Sequence, residues 1–150
     1  MRVDILCISD SDKHFSSACE EYKKRLGKMC TIENVKPIKY WTPEQIIEKE
    51  TNILLEKISH KKYANAQIVL LEKDWKQLTS KWFAALTKPW SHTLFLMGWP
   101  YGVAVPLLRP YINHIISFWK HTMPHGLAKL VLLEQVYRST MIAGNRSYHY

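Results

Sequence analysis

Cysteine is scarce and odd in number. The chain holds three, Cys7, Cys19 and Cys30, with no Cys-x-x-Cys pair. That argues against a disulfide framework and fits a reducing cytoplasm. Metal-binding patterns are missing as well. There is no His-Glu-x-x-His, the seven histidines are scattered, and no metal site is expected. Long apolar runs are absent. The most continuous, Gln67 to Leu71, is far too short to cross a bilayer. The opening residues carry Asp4 inside a short apolar run, which reads as a first strand rather than a signal peptide. Glycine is sparse, five in all. None stands in a P-loop, a G-x-G-x-x-G fingerprint or a G-x-S-x-G elbow, which removes the commonest nucleotide-binding and hydrolase readings. Acidic residues are outnumbered 13 to 21 by basic ones, giving a formal charge of +8 and a pI near 9.4. Such a balance suits polyanionic partners, nucleic acid above all, and equally serves as ordinary solubility charge.

What is present is the make-up of one soluble domain, residues 1–150. With 47% hydrophobic and 23% charged residues, a chain this long buries roughly 70% of its unfolded surface. Val3 to Ile8 is a short buried strand. Phe15, Ala18, Cys19, Tyr22 and Leu26 then fall at helical spacing, with Gly27 as a stop. Thr31 to Val35 reads as a second strand. Thr42-Pro43-Glu44-Gln45 is a helix start, with a capping threonine, proline at the first helical position and glutamine at the third. Gln67 to Leu71 is a strand buried on both faces, followed by a polar loop, Glu72 to Lys76. Thr79-Ser80 caps a short helix, Thr93 to Met97 is a fourth strand, and Ile112 to Phe118 a fifth. Leu127 to Ile142 is a last helix, apolar on more than one side, as burial against a sheet and a second subunit would require. The alternation predicts an α/β fold, a mostly parallel sheet with helices on both faces.

In such sheets ligands bind beyond the carboxyl ends of the strands. Three of those ends carry unusual loops: Leu71-Glu72, Gly98 to Gly102, and Trp119 to His125. The paired glycines allow close backbone approach to a ligand, and serve a plain tight turn as readily. His125 suits either a capping role or a group facing substrate. Glu134, Tyr137 and Arg138 share one helix face, which fits a local ion pair or a functional cluster. The terminal Tyr148-His149-Tyr150 reads as a frayed tail or as a stacking surface for unpaired bases.

Several of these elements together resemble a known family. Thr122-Met123-Pro124-His125 resembles the T-x-P-H loop of the RlmH family of SPOUT-class methyltransferases. Leu133 to Ser139 resembles its E-Q-x-Y-R-A helix, and Ser147 to Tyr150 its terminal P-Y-H segment. Weaker echoes lie at Glu21 to Leu26 and Glu48 to Leu55. The resemblance spans essentially the whole chain. It implies a deep trefoil knot in the C-terminal part, an obligate homodimer, and methylation of N3 of a pseudouridine in 23S ribosomal RNA within the ribosome. The methyl donor it implies is S-adenosyl-L-methionine. By position, the cofactor residues are Leu71, Gly98, Trp99, Gly102, Trp119, Lys120, His121, Thr122, Met123 and Pro124. His125, Glu134, Arg138, Tyr148 and His149 are the candidates for catalysis, as base, RNA clamp or cover of the target base. The chain departs from the family at Trp99, where a second glycine is usual. It departs also at Trp119, at His121, where an apolar residue is usual, and at Lys129, where arginine is common. The two tryptophans would crowd the cofactor pocket, so a ribosome-binding homologue with weakened transfer is the alternative expectation. An unrelated α/β enzyme using a small nucleotide is a further one, on fold analogy alone.

Overall fold

The computed structural model describes residues 1–98 and 100–148. The expectations placed on Trp99, His149 and Tyr150 fall outside those residues. Five strands alternate with helices: β1 (Arg2–Ile8), α1 (Ser16–Leu26), β2 (Cys30–Val35), α2 (Pro43–Ile58), β3 (Gln67–Gln77), α3 (Ser80–Thr87), β4 (His92–Met97), α4 (Val105–Leu108), β5 (His114–Ser117) and α5 (His125–Ala143). All pairings are parallel, in the order β2-β1-β4-β3-β5.

Each central strand deals its side chains alternately to two cores, as a period-2 strand buried on both faces must. Val3, Ile5 and Cys7 of β1 join Phe95 of β4 under α1, α3 and α5. Leu6 and Ile8 join Leu94 and Leu96 under α2 and α4. Phe83 of α3 stacks on Phe95 with ring centres 5.5 Å apart. Leu132, Leu133 and Val136 press α5 onto the sheet, each burial worth about 1.5–3 kcal/mol. Leu127, Leu130, Val131, Tyr137 and Met141 stay half-buried on its other sides. Asp4, the acidic residue inside β1, is buried and paired with His92 at 3.0 Å and Arg2 at 3.2 Å.

Local signals give the element starts. Thr42 and Gln45 form the expected reciprocal cap of α2, and Thr79 accepts from the Trp82 amide to open α3. The fifth strand is shorter than expected and α5 starts two residues earlier. The larger difference is at Glu72 to Lys76, expected as a loop for their polar composition, which continue β3 to Gln77. β5 pairs first with Val69–Leu71 and again with Lys76–Gln77, with a register shift between. The Ser117 hydroxyl donates to the Lys73 carbonyl (2.8 Å) and fastens the excursion to the end of β5. The pairing is non-local and leaves no apolar pattern to read.

Inside α2, Glu50 is fully buried. One carboxylate oxygen accepts from the Ile38 amide at 3.0 Å, and the other has no hydrogen-bond partner. Burial raises its pKa above the usual glutamate value. A raised carboxyl pKa means the unfolded chain releases its proton first, so stability falls as pH rises above the unfolded value near 4.5. Glu50→Gln is therefore expected to unfold at higher urea than the parent at pH 8 and at no higher urea at pH 4. Equal midpoint differences at both pH values would refute the burial argument.

Candidate active site

The register break in β3 and the two loops that leave the carboxyl ends of β4 and β5 surround a cavity of about 580 Å³. β3 contributes Leu71 and Glu72, and the turn after β4 contributes Gly98 and Gly102. Phe118, Trp119, His121, Thr122 and Met123 come from the segment after β5. Gly102 has φ +83°, a conformation that side chains rarely adopt. Gly98 is closely hemmed: a Cβ there would stand 2.6 Å from Val103 Cγ1. Gly98 is thus packed closely against Val103 and Gly102, and both glycines line the cavity. Trp119 sits at the rim, 57% exposed, and its carbonyl lies 2.9 Å from Ser117 Oγ, sharing that hydroxyl's one proton with the Lys73 carbonyl. It leaves the cavity open rather than filling it. Lys120 lies outside this lining, and Pro124 lines a neighbouring cavity instead.

His125 opens α5 and lies on the wall of both cavities. Its Nε2 is 2.7 Å from Cys7 Sγ. Burial, with Lys129 second, lowers the imidazole pKa to about 4, while burial pushes the Cys7 thiol up. At neutral pH both are uncharged, and the imidazole tautomer decides which of the two donates to the other. Lys129 in turn donates to Ser9 Oγ (3.2 Å) and Asn34 Oδ1 (2.8 Å). Its charge is held by neutral acceptors beside the imidazole. Nothing in the sequence signals the Cys7–His125 pair, because the partners are 118 residues apart.

The depressed imidazole has a stability consequence. Below pH 6.5 the unfolded chain takes up a proton that folded His125 refuses. Stability is therefore lost as pH falls from 6.5 towards about 4, by on the order of 3 kcal/mol. His125→Gln, which cannot titrate, is expected to show a shallower acid slope in urea unfolding across that window. An unchanged slope would place the acid sensitivity elsewhere.

Glu134, Arg138 and Tyr148 form a separate group. Arg138 donates through Nε (3.0 Å) and Nη2 (2.7 Å) to Glu134 Oε1. It lies 5.0 Å from the centre of the Tyr148 ring and donates to the Tyr148 carbonyl at 3.4 Å. Tyr148 meets Tyr137 edge-on at 4.9 Å and shares a 3.4 Å hydroxyl contact with Tyr22. Arg25 covers Tyr22 at 5.3 Å and Tyr137 at 5.6 Å. The chain end up to Tyr148 is therefore folded back on α1 and α5, not frayed. At 1.5 Å per helical residue, Glu134 and Arg138 stand roughly 13 and 20 Å along α5 from His125. Within one chain they do not share the cavity.

Residues 1–149 match the family described as "Predicted SPOUT methyltransferase". The chain is 32% identical to the ribosomal RNA large subunit methyltransferase H of Clostridium beijerinckii, and 32% identical to that of Bifidobacterium animalis. In each case 99% of both chains is covered. Among solved structures it is similar to a Bacillus anthracis protein assigned as an RNA methyltransferase. There the TM-score is 0.58 and the identity 8%, with 99% of both chains covered, a likeness of fold.

Proposed function

The chain belongs to the SPOUT methyltransferase family, and we propose that it methylates large-subunit ribosomal RNA, at N3 of a pseudouridine, from S-adenosyl-L-methionine. The observation that carries the reading is the cavity at the register break of β3 and the ends of β4 and β5, lined by Gly98, Gly102, Thr122 and Met123. Its make-up fits the adenosyl donor. Leu71, Met97, Phe118 and Met123 offer apolar walls for a flat base. The backbone of the Gly98–Gly102 turn can meet the edge of that base, and the Glu72 carboxylate can accept from ribose hydroxyls.

The bound donor would supply a methyl group on a cationic sulfur, which leaves as a neutral thioether. The protein's share is positioning, an effect that can supply ~7–11 kcal/mol. The cavity walls hold the donor and exclude water. His125, neutral and held by Cys7, offers no positive charge to repel the sulfonium. The acceptor N3 gives its proton to solvent water as the new N–C bond forms and the sulfur–methyl bond breaks. The +8 charge steers the particle towards ribosomal RNA.

The same reading includes a knotted C-terminal half and a homodimer acting in the cytoplasm. The half-buried apolar positions of α5 support a second subunit. The double pairing of β5 with β3 supports a chain wound through that region. A partner's Arg138–Tyr148 group could then reach the cavity that its own chain does not place it in.

Methyl transfer from labelled donor to ribosomes of a strain lacking this gene tests the reading. Label is expected on one pseudouridine of the large-subunit RNA. No label on any ribosomal RNA, with no donor binding by calorimetry, would overturn it. Sedimentation at micromolar concentration is expected to give a dimer.

A further inference from the structure

A second cavity of about 480 Å³ lies outside the carboxyl end of β1. Among the described residues it shares a single side chain, His125, with the first. In the strand order, β1 and β4 are neighbours. The chain leaves β1 towards β2 on one side and leaves β4 towards β5 on the other. That makes the β1–β4 boundary the topological switch point, the place where open α/β sheets bind ligands. The cofactor cavity covers the β4 side of it. The second cavity covers the β1 side.

The chemistry lining it is mixed. Ser9 and Ser11 bring hydroxyls, Asp10 and Asp12 carboxylates, Lys13 and Lys129 ammonium groups, and His14 and His125 imidazoles. Asp10 is paired with Lys39 at 2.9 Å. Asp12 Oδ1 accepts from the His14 (2.8 Å) and Phe15 (3.2 Å) amides and holds the rim in a turn. Lys129 has no carboxylate partner among the described ion pairs and bonds Ser9, Asn34 and the Cys7 thiol, all uncharged. A wall of hydroxyls with two carboxylates against two lysines, one of them held by neutral acceptors, has no net charge of its own and suits an uncharged ligand rich in donors and acceptors. A phosphate would call for cations without the aspartates.

We propose that this cavity receives the acceptor base, a uracil-type imide, with His125 as the shared wall between methyl donor and methyl acceptor. Lys129 and the Ser9 hydroxyl donate to the imide carbonyls. Lys129 also stabilises the negative charge that spreads onto those oxygens as N3 gives its proton to solvent water at the exposed rim. The inference rests on the methyltransferase reading but is tested apart from it.

Ser11 is exposed on the cavity wall, so Ser11→Trp fills the cavity from its rim. Lys129→Met removes the cation. Both are expected to melt near the parent temperature and bind S-adenosyl-L-methionine with parental affinity. Both are expected to lose methyl transfer to ribosomes, by about 100-fold for Ser11→Trp. In parallel, millimolar uridine 5′-monophosphate is titrated into labelled protein. Amide shifts at Ser9–His14 and Gly126 that vanish in Ser11→Trp support the site whether or not ribosomes are methylated. The proposal is overturned by parental transfer rates in both variants, by loss of cofactor binding in Ser11→Trp, or by nucleotide shifts that are absent or centred on Gly98–Gly102. Unlabelled ribosomes with nucleotide bound at Ser9–His14 would defeat the ribosomal reading and leave the site standing.

Discussion

Gly98→Val is expected to abolish tight cofactor binding while leaving a folded protein. A Cβ on Gly98 meets Val103 Cγ1 at 2.6 Å and the Gly102 carbonyl carbon at 3.3 Å. Valine adds two methyl groups to that clash, and the turn must open. The loss of two backbone hydrogen bonds to the donor, at about 1–1.5 kcal/mol each, weakens binding by about 100-fold. The damage stays local, because the turn lies beyond the end of β4 and the strand's core residues are unaffected. Calorimetry with S-adenosyl-L-methionine measures the first effect and thermal melting the second. A double variant isolates the cause. Gly98→Ala alone is expected to bind weakly, and Val103→Ala added to it removes the clashing Cγ1 and restores affinity. Unchanged affinity in Gly98→Val would remove this turn from the cofactor site.

The alternation of strands and helices was readable because each central strand is a short apolar run between turn signals. The capping chemistry at Thr42 and Thr79 was readable because it spans only a few residues. The T-M-P-H loop and the glycine turn stood out as candidate ligand loops, and the structure brings most of their described residues to one cavity. What stayed hidden depends on distant pairs. The extension of β3 is held by β5, some forty residues away, and its own composition is that of a loop. The backward fold of Tyr148 needs Arg25 and Tyr22 from α1 as well as Arg138, so composition alone gave a tail. The second cavity was hidden for a similar reason. Ser9 to His14 reads as a turn with caps, and only the arrival of α5 beside it makes a pocket.

That arrival depends on one atom's absence. Gly126, in the first turn of α5, is buried, and a Cβ there would stand 1.6 Å from Asp12 Oδ2 and 3.0 Å from Phe15 Cδ2. The Asp12 carboxylate thus lies directly against the start of a 19-residue helix that has no acidic residue in its own first turn. Its charge complements the positive end of the helix dipole from another part of the chain. Asp12 cannot simply swing away, because its other oxygen holds the His14 and Phe15 amides. Gly126→Ala must break that turn or push α5 outward. The cost is about 1–3 kcal/mol for the broken hydrogen bonds and displaced packing, and more for Gly126→Val. An outward shift carries His125 away from Cys7 and enlarges the gap between the two cavities. Methyl transfer is therefore expected to fall by about 100-fold in Gly126→Ala, even at temperatures where the protein stays folded and binds the donor. Pairing Gly126→Ala with Asp12→Gly makes room for the new methyl group. It is expected to recover part of the transfer rate but not the stability that the Asp12 turn supplied. Transfer at the parental rate in Gly126→Ala would mean that the close seating of α5 against the β1 loop has no part in aligning donor and acceptor.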